Sequence, residues 1–494
     1  PVVEVDVPDP FQVSPDVDGA NFTIGTQNGT VTLTNANSLY TLTPETGSST
    51  SVTVADVTSF VLNNITMNAT TAAITGETVS GSGTLSITDD VDADTNLTTI
   101  STTGMNFGSD NTIAVASGKT LTLDGDQAAT ATSGITGAGN VTVEDDAASA
   151  NSSMIVNITG VANIDGGLGN DTIDPGAAEN VTADDIIDGG GGTDELQVTA
   201  DNGTTGAVLD DLVDIDTVTI EASSTVTHNA KVTLQYTTDK TDAITVTAAA
   251  MTSSDADFTF VASDTQAKGA YTVTGGSGDD SITTNIGDDI ITGGAGKDTI
   301  VAGAGADTIV VGSSHDVASE SYTGGADTDT LQIDAAADLS NDTLATLEVL
   351  DLHEDGTAVA VTMTDAQVDA FSTIKSAASA INAGDIITMN DVMTTDMLDG
   401  TTIGAGTDAD EVVFVLKDVA SNALTIDNAT MAQAADKLFL DGSNLTGTNA
   451  FTLDASSEAT AVVITATGGA AGDSLTGGAG ADVLTGGGGA DTLI

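Results

Sequence analysis

The stretch from Gly275 to Gly312 reads GGSGDDSITTNIGDDIITGGAGKDTIVAGAGADTIVVG, and its nine-residue period constrains the fold more than any other feature of the chain. Four contiguous units occupy 275–283, 284–292, 293–301 and 302–310, with an aspartate at the sixth position (Asp280, Asp289, Asp298, Asp307) and an isoleucine at the eighth (Ile282, Ile291, Ile300, Ile309). A fifth loop, VGSSHD, ends at Asp316, and a related loop ends at Asp329. Three more units fill 468–476, 477–485 and 486–494, with Asp473, Asp482 and Asp491 at the sixth position and Leu475, Leu484 and Leu493 at the eighth. An earlier block has GGLGND ending at Asp171 and GGGGTD ending at Asp194. No uninterrupted helix or strand repeats in this way. A short strand carrying one inward aliphatic side chain, followed by a turn, does.

Glycine suits such turns because it accepts positive φ without steric penalty and leaves backbone carbonyl oxygens free to converge. Gly275, Gly278, Gly293 and Gly296 hold those places in the central block. A carboxylate beside converging carbonyls is a hard oxygen site, and it suits Ca²⁺, with its six to eight oxygen ligands, far better than Zn²⁺. The metal-ligating candidates are therefore Asp171, Asp194, Asp280, Asp289, Asp298, Asp307, Asp316, Asp329, Asp473, Asp482 and Asp491 with those four glycines. Flexible Gly/Asp linkers would have no reason to keep an aliphatic residue in register.

Charge points the same way. The chain has 73 acidic residues against 8 basic ones, a net charge of −65, and its basic residues are all Lys. Without arginine there is no bidentate fork for phosphate, and the field repels polyanions, so nucleic acid and anionic membrane are poor partners. Self-repulsion on this scale opposes compaction unless cations neutralise it. Cysteine is absent, which excludes disulfides and thiolate metal sites. No apolar run is long enough for a transmembrane helix. Aromatic residues are 3% of the chain and Trp is absent, so a thin core of Val, Ile, Leu and Ala is expected.

Residues 1–156 are rich in Thr and alternate apolar with polar positions, as in GTVTLT at Gly29 and KTLTLDG at Lys119, which predicts short strands in either a β-sandwich or solenoid rungs. Downstream, TDELQV at Thr193 is followed by VDIDTVTI, TDTLQI at Thr328 by ATLEVLDL, and DADEVVF at Asp408 by ADKLFLDG, so one supersecondary unit is used three times. Only Met363–Ile381 has helical spacing, with Thr364 or Asp365 as its cap. The expected organisation is a Thr-rich β region at 1–156, repeat blocks at 157–200, 271–335 and 468–494, a β insert at 201–270, and a β region with a short helix at 336–467.

The pattern GGxGxDxUx, with U aliphatic, resembles the nonapeptide of the RTX (repeats-in-toxin) calcium-binding proteins. The resemblance implies an all-β fold of parallel β-roll or β-solenoid blocks, with two nonapeptides per turn and ions held between loops two units apart. It implies that Asp280 faces Asp298, Asp289 faces Asp307, Asp298 faces Asp316 and Asp473 faces Asp491. It also implies that Asp171 and Asp194 can pair across a turn lengthened at PGAAE. Thr284, Asn285 and Ile286 replace the glycines of one loop, Ala471 and Asp327 those of two others.

No HExxH, G-x-S-x-G elbow, P-loop or Cys nucleophile is found, and His228, His315 and His353 are scattered, so no enzyme is expected. The resemblance is strongest to surface-layer and matrix or adhesin members. It implies a secreted, cell-surface structural protein that is exported by type I secretion, binds several Ca²⁺ ions and self-assembles as a homopolymer into a layer or filament. The alternative is a biofilm-matrix adhesin, with a cell-surface glycan or lipopolysaccharide as a further partner.

Overall fold

In a computed structural model of the chain, the strands of residues 2–107 are described by their backbone, and most residues of 113–494 are described in full. Outside the description lie the connections between the first strands, the loops 124–134, 144–152, 201–206, 222–228, 235–242, 263–268, 314–318, 353–357, 377–384, 405–410 and 428–436, and a few shorter stretches. The chain forms two compact units, Pro1–Val226 with Ala230–Thr237, and Thr227–Asn229 with Thr238–Ile494. The described elements are β-strands and one short helix, and the strands pair in parallel, as a β-solenoid does.

In the first unit, successive strands fall alternately into two columns. Val2–Val5, Asn21–Ile24, Leu39–Pro44 and Ser59–Leu62 pair in turn along one; Phe11–Val13, Val31–Thr34, Ser51–Ala55 and Thr66–Ala69 along the other. The ten-residue strand Thr78–Ile87 pairs with the last member of both. Strands that skip a neighbour and pair in parallel are solenoid rungs, so of the two arrangements open for the Thr-rich region the chain adopts this one. Two further columns follow, one of them running Thr120–Leu123, Asn140–Val143, Asn163–Asp165, Ile186–Asp188 and Asp211–Val213.

The second unit is built alike. One column runs Ile244–Thr247, Tyr271–Thr274, Ile290–Thr292, Thr308–Val311, Thr330–Ile333, Val349–Leu352 and Thr373–Ser376. Its partner runs Phe258–Ala262, Ser281–Thr283, Thr299–Ala304, Ser321–Ala326 and Thr343–Ala345. Ile282 lies against Ile300, Ile291 against Ile309, and Leu475 against Leu493, so the eighth-position residue of each nonapeptide stacks on its counterpart one turn away. All three copies of the repeated supersecondary unit prove to be neighbouring rungs: Glu195–Thr199 pairs Thr217–Glu221, Thr330–Ile333 pairs Val349–Leu352, and Glu411–Val415 pairs Lys437–Asp441.

The alternation of Thr with aliphatic residues sets the core. Along these strands every second side chain is buried, and Ile282, Ile291, Ile300 and Ile309 are wholly inaccessible. Each such burial stabilises by about 1.5–3 kcal/mol. Ahead of the central nonapeptides the thin aliphatic core gives way to a small aromatic cluster, with Phe260 between Phe258 and Tyr271 at ring separations of 6.4 and 5.8 Å.

The helix expected over Met363–Ile381 is confined to one turn, Asp365–Val368. Its start is as read: Thr364 caps it, and a capping box with Gln367 is formed. The chain then turns and becomes the strand Thr373–Ser376, paired on one side with Val349–Leu352 and on the other with Thr402–Ile403. Val368, Phe371 and Ile374 are all buried, so the three-residue spacing that suggested a helix serves a turn followed by a rung. Parallel partners on both sides override local helical preference.

Candidate metal centre

Each turn of the repeat blocks places its sixth-position aspartate just before the strand, where the chain comes out of the loop. The residue two places on is the inward aliphatic, so the carboxylate is drawn against the core edge. Asp171, Asp194, Asp280, Asp289, Asp298, Asp307, Asp329 and Asp473 are all buried, while Asp482 and Asp491 are half-buried.

The carboxylates form columns. Asp298 Oδ1 accepts the backbone N–H of Asp280 at 2.9 Å, and Asp280 Oδ1 accepts that of Phe258 at 2.7 Å. Asp307 accepts from Asp289 at 2.8 Å and Asp329 from Asp307 at 3.0 Å. Asp491 accepts from Asp473 at 3.0 Å, and Asp194 from Asp171 at 2.8 Å. Four of the five anticipated facings are thus brought together, including the lengthened turn at Asp171 and Asp194. For the fifth, Asp316 lies outside the described residues, as do His315 and His353. The sheet register sets Glu320 one turn beyond Asp298, because Ser321 is the partner of Thr299.

Loops stack as tightly as the strands. A Cβ added to Gly293 would collide with Asp298 Oδ2, and one on Gly275 with both Gly293 O and Asp280 Oδ2. Gly278 faces the carbonyl oxygen of Ala256, and Gly296, at φ +111°, faces that of Gly278. The volumes that a side chain would fill are therefore bordered by carboxylate and carbonyl oxygens. Asp194, Asp307 and Asp329 each bury an Oδ2 atom that has no hydrogen-bond partner. An orphaned buried carboxylate oxygen is costly, and a cation is the natural counterpart in a chain this poor in basic groups.

Among the described residues no three His, Cys, Asp or Glu side chains converge as a cage. Within each column the acids arrive one per turn, so the remaining ligands have to be loop carbonyls and water. That donor set is all hard oxygen and fits Ca²⁺; Mg²⁺ demands a tighter octahedron and releases its water reluctantly. Bound Ca²⁺ would supply the positive charge between successive carboxylates and tie adjacent loops together, with the sixth-position aspartates and the glycine-loop carbonyls as its holders.

Burial is the main cause that pushes the carboxyls of Asp194 up to about 6, Asp280 and Asp307 to about 7 and Asp298 to about 8, with neighbouring acids adding to it. In the metal-free fold these groups hold protons that an unfolded chain, titrating near 3.8, has already released. The folded state then binds more protons between about pH 4 and 8, so its stability falls as pH rises through that window. Metal-free protein should keep more β-structure at pH 5 than at pH 8.5 by circular dichroism, and calcium addition at pH 7 should release protons. A metal-free fold that gained stability from pH 5 to 8.5 would contradict this electrostatic picture.

Part of the pattern carries no glycine. Glu320, Asp342, Glu348 and Asp216 continue the columns, since Asp342 accepts from Glu320 at 2.9 Å, Glu348 from Asp329 at 3.0 Å and Asp216 from Asp194 at 2.8 Å. Their signal is an acid ahead of a strand residue without the glycine loop. A second set bridges the opposite way: Asp279 accepts the N–H of Lys297 at 2.9 Å and Asp288 that of Ala306 at 2.8 Å. These fifth-position acids were visible in GDD but have no obligatory place in the nonapeptide pattern.

Fold and site together define a parallel β-solenoid whose turns are lined by stacked carboxylates and glycine-loop carbonyls. The family model for the RTX calcium-binding nonapeptide repeat, in four copies, matches residues 163–181, 272–317 and 465–494, about a fifth of the chain. These stretches are RTX calcium-binding nonapeptide repeats, and repeats of this kind bind Ca²⁺ in several copies. No curated protein and no solved structure matches it. RTX repeats occur in secreted proteins, and no helix among the described residues is long and apolar enough to cross a membrane.

Proposed function

We propose that this is a secreted, non-catalytic structural protein that folds on extracellular Ca²⁺ and self-assembles into a surface layer or filament. The observation that carries the reading is the column of buried carboxylates, one per turn, in a chain of net charge −65. Oxygen sites of the extracellular kind bind Ca²⁺ at about 10⁻⁴–10⁻³ M. Such sites stay empty at cytosolic calcium and fill outside the cell, which suits export of an unfolded chain by type I secretion. Fold formation is then coupled to the compartment. Assembly follows from the acidic surfaces, which repel one another until divalent ions bridge them.

Electron microscopy and light scattering of purified protein in millimolar Ca²⁺ and in chelator test the assembly. Ordered sheets or fibres that dissolve on chelation are expected. A folded monomer at high concentration in calcium would move the assignment to an adhesin, with glycan or lipopolysaccharide binding as its next test.

A further inference from the structure

Beyond the stretch that matches the RTX repeat, the loop Gly324–Asp329 stacks on a turn that contains no glycine, Ala345–Glu348. We propose that these two turns form a divalent-cation site of their own, with Asp329, the carbonyl oxygen of Thr346 and Glu348 as its protein ligands. The proposal rests on the calcium-dependent reading above and extends the ion column past the matched repeats onto a turn, Ala345–Glu348, that lacks their glycines.

Asp329 is wholly inaccessible, and its two oxygens have different fates. Oδ1 accepts the N–H of Asp307, whereas Oδ2 is buried with no hydrogen-bond partner. In three of the glycine loops the second oxygen is bonded within its own loop: Asp280 Oδ2 accepts from Gly276 at 2.6 Å, Asp473 Oδ2 from Gly469 at 2.8 Å and Asp482 Oδ2 from Gly478 at 2.9 Å, whereas Asp194 and Asp307 leave theirs without a partner as Asp329 does. At Asp329 the corresponding donor, Gly325 N–H, is turned to Thr346 O instead, at 3.3 Å. The carboxylate oxygen is left facing the bare Cα of Gly324.

The same small volume receives a second oxygen. A Cβ on Gly324 would lie 2.5 Å from Asp329 Oδ2 and would collide with Thr346 O. Thr346 delivers that carbonyl from a left-handed backbone, φ +48°, an unusual conformation for a β-branched residue. Glu348 closes the next turn, with Oε2 accepting the N–H of Asp329 at 3.0 Å, so a second carboxylate stands beside the first. Lys297 is the sole basic residue between Gly275 and Glu348, and its backbone belongs to the Asp279 turn. A buried oxygen without a donor, a carbonyl oxygen bordering the same small volume and an adjacent carboxylate make a hard-oxygen set for a cation of the Ca²⁺ type.

The test is calcium stoichiometry of the full chain by equilibrium dialysis and native mass spectrometry, with far-ultraviolet circular dichroism alongside. Glu348→Gln keeps an oxygen for the Asp329 N–H and removes only the charge; Asp329→Asn does the same for its own column. Each variant should bind one Ca²⁺ ion fewer than the parent while its β-spectrum in saturating calcium is retained. If Asp329→Asn fails to fold, the half-buried Glu348→Gln carries the measurement. Unchanged stoichiometry and unchanged calcium midpoint in Glu348→Gln would overturn the site and leave the calcium-dependent fold standing. A parent chain that bound no calcium would overturn both.

Discussion

Ile300→Asp should unfold the central repeat block, at a cost exceeding about 4 kcal/mol, even in saturating calcium. Ile300 is wholly buried and is paired in register with Ile282 on one side and Tyr322 on the other. Its loss forfeits about 1.5–3 kcal/mol of burial, and the carboxylate that replaces it has no basic partner among the described core residues. Ile300→Val, which keeps the shape and removes one methyl group, should cost only about 0.5–1.5 kcal/mol. Thermal melting of the two variants in calcium checks the contrast. Similar melting points for both would mean that the eighth-position column is not the core.

Asp298→Ala should raise the calcium concentration needed for folding and lower stability by several kcal/mol even when calcium saturates. Its Oδ1 satisfies the backbone N–H of Asp280, and a buried N–H left without a partner costs about 1–3 kcal/mol. The same change removes a carboxylate from the ion column. Asp298→Asn separates the two effects, because its side-chain oxygen still accepts the N–H while the charge is gone. That variant should shift the calcium midpoint and leave calcium-saturated stability nearly intact. Asp351→Ala is the control: this residue faces outward on Val349–Leu352 with a Lys375 pair at 4.0 Å, a contact worth at most about 1 kcal/mol. Equal calcium midpoints for Asp298→Asn and Asp351→Ala would remove the column from the folding mechanism.

What the sequence revealed about this chain, and what it concealed, follows from how local each determinant is. Asp298 and Ile300 are legible because glycine loop, acid and aliphatic lie within one nine-residue unit, and their repetition fixes both the strand and the turn. The facing of Asp280 and Asp298 needs only the 18-residue turn that two such units define. Glu320 was hidden because the turn between Thr299 and its partner Ser321 is 22 residues long, and the length of an inserted loop leaves no mark on the residues that follow it. Glu348 was hidden for another reason: its turn uses Thr346 at positive φ where a glycine would have advertised the bend. The segment after Thr364 reads as a helix because three-residue spacing of Val368, Phe371 and Ile374 is shared by a helix face and by a turn entering a strand. Only the parallel partners of Thr373–Ser376 distinguish the two.

Calcium titration of metal-free protein at pH 7.5, followed by far-ultraviolet circular dichroism, shows whether the chain needs the ion to fold. The buried carboxylates of Asp280, Asp298 and Asp307 oppose folding when ionised and unpaired, so the metal-free chain should show little β-structure. A cooperative gain of the β-spectrum is expected at about 10⁻⁴–10⁻³ M Ca²⁺, with Mg²⁺ at the same concentration giving little change. A full β-spectrum and an unaltered melting point in the absence of calcium would contradict the account.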